Sequence, residues 1–360
     1  CHTTKIILRT VTGNVALTGS IMDSFNIKVQ NDKIVNVTDT VIHIFHGVSN
    51  NNDISLFIDE SPDLEQLAMG QELFLDFLRQ LCEKFNYKPN RITIEIENLI
   101  QSDCWPSLIR CYRSLDVLGG QMMESEGLPK QIKYKTSLFV GGSRWPRLAL
   151  ASFLYSSYRD ESLITYWQNL KDRKQPCYLY VDDLLKNYMS KGIDNNFLEQ
   201  LKVLLEALPL HIGPQDQKEN NNGGFIHWAS AYDLLPYYKQ IYCDVVCETV
   251  HNGKTFAFTE KIARCWMTKT PFLVFGPKNY LANLKRLGIK TFETFWNEQY
   301  DRYENVNRIS MIQQQINTIH RMDTTRLQEI YHSSEMQSIL ENNYKVFKEL
   351  DREKIQDCFI

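Results

Sequence analysis

The chain lacks long apolar runs: none approaches the roughly 18–20 residues that a membrane-spanning helix needs, which excludes a helical span within these residues. Its first residues, Cys1-His2-Thr3-Thr4-Lys5, have none of the basic-then-apolar pattern of a signal peptide. Charge of one sign is also missing. Forty Lys plus Arg face 43 Asp plus Glu, a net −3, which excludes a polycation that binds nucleic acid by bulk charge but leaves room for a local basic groove. There is no low-complexity tract and no internal repeat. With 43% apolar and 23% charged residues, collagen-like and wholly disordered chains are excluded as well. No Cys-x-x-Cys occurs among the nine cysteines, at 1, 82, 104, 111, 177, 243, 247, 265 and 358. They read as small buried hydrophobes in a reducing compartment, so a cytoplasmic setting is expected. Cys243 and Cys247 fall in a segment, 241–250, that reads as a strand. Their spacing puts both on one face with no second pair to complete tetrahedral zinc, and no metal site is predicted.

What is present is length and pattern. At about 100–200 residues per domain, 360 residues suggest two domains. The stretches Val41–His46, Ile54–Ile58 and Ile92–Ile96 read as strands, with a helical pattern from Asp63 to Phe85 between the last two. Strand, helix, strand is the signature of a parallel α/β sheet. A second α/β region opens with a strand at Thr136–Val140, then Gly141-Gly142-Ser143 and a helix from about Pro146, with Ser143 as a nearby cap. The boundary is placed near 124–135, where Gly127 and Pro129 interrupt the pattern, and Gln215–Gly224 reads as a surface loop. Ile309, Ile312, Ile316 and Ile319 form a stripe spaced 3, 4, 3 that predicts a packed helix. The expected division is an N-terminal lobe over 1–130, a second lobe over 131–320 and a C-terminal helical segment over 321–360.

The stretch Asp244–Trp296 carries most of the chemical information. It reads as strand, helix, strand, with Thr259 as N-cap and Glu260-Lys261 in the first helical turn. Free backbone N–H groups and the positive end of the helix dipole attract phosphate at such a place. A lysine adds a point charge for it, and a glutamate can accept from ribose hydroxyls. An ordinary capped helix is the competing explanation. Lys130, Lys133, Lys135, Arg144 and Arg147 occur with no acidic residue among them. Arg144 and Arg147 follow a predicted strand, where doubly wound sheets bind ligands and where arginine can grip a diphosphate bidentately. Arg147 is preferred over Arg144, which can point outward from the Gly-rich turn, and a solvated basic face is the alternative. For a general base, Asp59 and Glu60 end the strand at Ile58, with His43 and His46 as another pair. Ser61-Pro62-Asp63 equally reads as the start of a helix, and Glu95 and Glu97, alternating with Ile94 and Ile96, as one solvent face of a strand. Tyr180-Val181-Asp182-Asp183 reads as a cap and first turn rather than a metal-holding Asp-x-Asp. The six tryptophans are each expected in the core, and Phe225–Trp228 is a candidate cleft lining.

Phe258-Thr259-Glu260-Lys261, followed by Thr270-Pro271-Phe272-Leu273-Val274-Phe275-Gly276 and Leu287-Gly288-Ile289-Lys290-Thr291-Phe292, resembles the donor lobe of the α-1,3-fucosyltransferases. It is similar, too, to the related fucosyltransferase-like transferases of bacteria and large viruses. The similarity covers about sixty residues. It implies an α/β fold of two Rossmann-like lobes facing a cleft (GT-B-like), closed by C-terminal helices. It implies a glycosyltransferase that moves a sugar from a nucleotide sugar to an acceptor hydroxyl, by inversion and without metal. Glu260 would hold the donor ribose, Lys261 and one of Arg144 and Arg147 the diphosphate, and Thr259 the helix cap. A short Glu-Ser-Pro segment in such enzymes makes Glu60 resemble the base. The implied partners are a nucleotide sugar and an acceptor, either a glycan or a hydroxylated base in DNA, with no cofactor. A viral relative would work in the host cytoplasm. A non-catalytic nucleotide- or carbohydrate-binding protein that keeps the fold is the rival expectation.

Overall fold

The computed structural model describes the backbone of seven short strands up to residue 110, together with residues 130–166, 178–189, 195–210, 237–248 and 258–350 and a few single positions. The chain divides into two compact units. One comprises residues 1–116, 252–257 and 350–360, and the other residues 117–251 and 258–349. Asp59, Glu60, His43, His46, Gln215–Gly224 and Phe225–Trp228 lie outside the described residues.

In the first unit β1 (Lys5–Thr10), β2 (Gly13–Thr18), β5 (Ile54–Ile58), β6 (Ile92–Ile96) and β7 (Leu108–Arg110) form one sheet in the order β2-β1-β5-β6-β7. The expected strands at 54–58 and 92–96 occur with those bounds and pair parallel, Ile54 opposite Ile92. β7 continues the parallel set, whereas β1 runs antiparallel to β5 and forms a hairpin with β2. The sheet is therefore mixed. β3 (Lys28–Gln30) and β4 (Lys33–Asn36) pair separately.

The second unit is built on four parallel strands, β8 (Tyr134–Val140), β9 (Ser162–Tyr166), β10 (Ile241–Cys247) and β11 (Phe272–Phe275), in the order β11-β10-β8-β9. Every residue of β9, β10 and β11 is buried, as expected of parallel strands covered on both faces. Asp244 in mid-β10 is accommodated by donors from Ser137 Oγ at 2.7 Å and Tyr238 OH at 2.6 Å. β8 leads through α1 (Trp145–Tyr158) to β9 on one side, and β10 leads through α4 (Glu260–Met267) to β11 on the other. Right-handed crossovers in opposite directions put α1 and α4 on opposite faces. Between them in the chain lie α2 (Tyr178–Met189) and α3 (Asn195–Ala207), which pack on α1.

After β11 come α5 (Tyr280–Arg286), a 3-10 turn at Glu298–Arg302, α6 (Asn305–His320), α7 (Thr324–His332) and α8 (Ser334–Glu349). The predicted isoleucine stripe is the buried face of α6, with Ile309, Ile312, Ile316 and Ile319 each at most 1% exposed. Arg308 donates to Pro277 O near its start and His320 approaches Thr136 at its end, so α6 spans the sheet from carboxyl edge to amino edge. Its 16 residues give about 24 Å. The seven residues of β8 extend about 23 Å, so the two lengths match. Among the described residues no helix is long and apolar enough to cross a membrane.

Two local expectations change. Asp182 and Asp183 are not a cap: α2 begins at Tyr178, so both lie exposed inside the helix, where Asp183 sits 3.8 Å from Lys186. Ser143 does not cap α1 either. Arg144 takes the N-cap position without a side-chain bond, and Ser143 Oγ is drawn to Tyr166 OH at 2.6 Å.

Candidate functional site

In the second unit the chain winds one way from β8 to β9 and the other way from β10 to β11. The reversal falls between β8 and β10 at their carboxyl ends, the place where open α/β sheets bind ligands. Arg147, on the first turn of α1, lies at that point with 5% of its surface exposed. Its Nη1 donates to Gly142 O at 2.7 Å and its Nε to Cys247 O at 3.3 Å, bracing the ends of both central strands. Arg144 points back to its neighbour, Nη1 donating to Ser143 O at 3.0 Å, and is half-buried.

The start of α4 completes this edge. Thr259 is the N-cap in extended backbone, as its sequence position predicts, and its Oγ1 accepts from Lys261 N–H at 3.3 Å. Lys261 Nζ donates to Glu260 Oε1 at 2.7 Å and to Thr259 Oγ1 at 3.3 Å. Burial acts to raise the Glu260 carboxyl, but Lys261 and Arg264 outweigh it and hold the group down at about 2. Burial also pushes the Cys247 thiol up to about 11 against the pull of Arg147 and Lys261, so both cations act on the same strand end. Arg147, Thr259, Glu260 and Lys261 are thus gathered at one edge of one unit.

Sequence reasoning missed Glu248, the residue immediately after β10. It is fully buried, and its carboxylate accepts from Thr259 N–H at 3.2 Å, Thr259 Oγ1 at 2.5 Å and Tyr280 OH at 2.8 Å. An acid directly after a wholly buried strand, at the carboxyl edge of a doubly wound sheet, was the available signal.

The basic run beginning at Lys130 does not form one patch. Lys130 is buried at the amino edge, donating to Thr270 Oγ1 at 2.7 Å. Lys135 is buried there too, with Glu161 at 2.6 Å and His320 O at 3.0 Å. Only Arg144 and Arg147 reach the carboxyl edge, because β8 separates them from the lysines. Trp145, Trp266 and Trp296 are core residues, 6%, 1% and 6% exposed. No group of metal-ligating side chains occurs among the described residues. A cleft of about 630 Å³ opens at the start of α6, lined in part by Lys186, Lys278, Arg302 and Tyr303; none of the sequence-predicted site residues lines it.

Chemically, the edge offers two cations beside a carboxylate at a helix N-terminus. Such a set suits an anion joined to a hydroxyl-bearing group, with the anion on Lys261 and the hydroxyls on Glu260. No protein-family model matches the chain, and no curated protein sequence matches it.

Proposed function

We propose that the second unit binds a nucleotide sugar at the carboxyl ends of β8 and β10, and that the protein is a glycosyltransferase. The observation that carries this reading is the meeting of Arg147 from α1 with Thr259, Glu260 and Lys261 from α4 at the topological reversal of the sheet. Arg147 and Lys261 take the diphosphate and stabilise it as it leaves, in place of a metal, while Glu260 accepts from the ribose. The first unit, in a GT-B-like arrangement, presents the acceptor, a glycan or a hydroxylated base in DNA. Glu60 or Asp59 removes the proton of its hydroxyl as the anomeric carbon is inverted. The buried thiols of Cys82, Cys243, Cys247 and Cys265 favour a reducing compartment, the cytoplasm.

The test is a thermal-shift screen of UDP-, GDP-, dTDP- and CMP-sugars, followed by transfer assays with and without chelator. A ligand at 100 times its dissociation constant stabilises by about 2.7 kcal/mol. Lys261→Ala and Arg147→Ala should each abolish transfer and weaken nucleotide binding, and unchanged kinetics in both would remove the site assignment. The second reading, a non-catalytic nucleotide-binding protein, draws support from the two backbone carbonyls that already occupy Arg147. Tight nucleotide binding without transfer or hydrolysis would favour it.

A further inference from the structure

We propose that Glu248 is a positioning residue: held from α5 by Tyr280, it fixes the direction of the Thr259 hydroxyl and, through it, the place of the Lys261 ammonium. The ligand in this proposal rests on the nucleotide-sugar reading; the positioning itself does not.

Glu248 is fully buried, and its side chain is held by hydrogen bonds alone. No basic group lies within ion-pair distance of it among the described residues, and its three donors are the Thr259 N–H, the Thr259 hydroxyl and the Tyr280 hydroxyl. A carboxylate at this place has a consequence that an amide of the same shape does not. A threonine hydroxyl has one proton to give, and a carboxylate can only accept. The Thr259 proton is therefore committed to Glu248, and the lone pairs of Oγ1 face α4, where Lys261 N–H and Nζ both donate to it at 3.3 Å. A neutral amide in place of the carboxylate can present its own N–H to Thr259. The hydroxyl proton is then free to turn toward Lys261 Nζ, setting donor against donor.

The arrangement extends to the next strand. A Cβ built on Gly276 would lie 2.7 Å from Tyr280 Cδ2 and 2.9 Å from Cγ. Only glycine lets the Tyr280 ring lie across the turn after β11 with its hydroxyl on Glu248. Residues following two neighbouring strands, β10 and β11, thereby converge on one lysine of α4, which is 15% exposed in its side chain and also donates to Glu260.

The experiment is competitive acylation of lysines with acetic anhydride on the full chain without ligand, in wild type, Glu248→Gln and Tyr280→Phe. Lys261 should react about fivefold faster in Glu248→Gln, the factor expected for loss of one hydrogen bond, with Tyr280→Phe between the two. Lys130, Lys135 and Lys285 should be unchanged. An unchanged Lys261 rate overturns the proposal, and so does a rise shared by Lys130 and Lys135, which marks general loosening. Where Glu248→Gln fails to fold, Tyr280→Phe and Thr259→Val decide by the same rate, and no change in both overturns it. A second arm measures the dissociation constant of whichever nucleotide sugar stabilises wild type. Glu248→Gln should weaken it about fivefold in wild type and not at all when Lys261 is already alanine. Equal weakening in both backgrounds marks a role that does not run through Lys261 and overturns the proposal. If wild type binds no nucleotide sugar, the functional reading fails and acylation still decides the role of Glu248.

Discussion

Lys130 should make this protein more stable in mild alkali than at neutrality. The residue lies just before β8, its Nζ on Thr270 Oγ1 and 4.8 Å above the ring of Tyr331. Burial pushes its ammonium down from 10.5 to about 7, against the opposing influence of Cys265, Cys243 and Asp244, the other ionisable groups that face it. Below that value the lysine is protonated in folded and unfolded chains alike and contributes no slope. From about pH 7 to its ordinary 10.5 the unfolded chain holds a proton that the folded chain has released, so stability rises with pH. Each unit inside that window adds about 1.4 kcal/mol, and the rise from about pH 7 to about pH 8.5 comes to about 1.5 kcal/mol because the folded lysine starts half-protonated. The buried thiols of Cys243 and Cys265 act oppositely as their ordinary value of 9.0 is approached, since burial raises both. Comparison with Lys130→Met removes that contribution. Urea unfolding followed by circular dichroism at about pH 7 and about pH 8.5 should show wild type gaining about 1.5 kcal/mol more than Lys130→Met. Equal gains in the two proteins would refute the reasoning.

Two further predictions concern the same unit. Asp301 accepts from Arg308 Nη2 at 2.6 Å and from Leu281 and Ala282 N–H at 3.0 and 3.3 Å, while Arg308 is 0% exposed. Asp301→Ala leaves that guanidinium buried without its anion and should cost about 3–5 kcal/mol in urea unfolding, whereas Asp301→Ala with Arg308→Met should cost much less; equal losses would show that the unpaired charge is not the cause. His320 is held below its ordinary 6.5 by burial, even though Glu161 Oε2 lies 3.1 Å from its Nδ1 and favours the charged form. Acidification through 6.5 protonates the unfolded histidine first and should lower thermal stability, with Lys135 adding to the disfavour and Thr136, Ser162 and Tyr158 offering no charge to offset it. His320→Gln should flatten that limb, and parallel profiles for the two proteins would contradict it.

How far the sequence reached follows the range of each interaction. The Thr259 cap was legible because capping runs from residue i to i+2. The strands at 54–58 and 92–96 and the α6 stripe were legible because periodicity is local. The basic run was misread for the opposite reason. Lys130 meets Thr270, 140 residues away, and Lys135 meets the His320 carbonyl, 185 residues away, so no local pattern reveals that both are spent inside the fold. Strand geometry alone separates them from Arg147: a seven-residue strand between two sets of charges puts them at opposite edges of the sheet. Ser143 failed as a cap because its hydroxyl pairs with that of Tyr166 on the neighbouring strand. Glu248 was passed over because its partners stand 11 and 32 residues away, beyond any turn or cap.

If the edge binds a ligand as proposed, the pairing of Glu260 with Lys261 limits which ligands suit it. Without ligand the two neutralise each other at 2.7 Å. A bare phosphate that takes Lys261 would leave Glu260, ionised down to about 2, in a partly buried place without its nearest cation. Much of the new interaction would be spent on that loss, because a carboxylate out of water needs donors of its own. A ligand that carries hydroxyls beside its phosphates replaces the pair completely, anion to Lys261 and hydroxyl donors to Glu260. The pair should therefore discriminate against inorganic anions without any steric device. On the proposed reading, the same two residues that make the edge look neutral in isolation should favour a nucleoside diphosphate over phosphate alone, and equal competition by the two in a binding assay would contradict it.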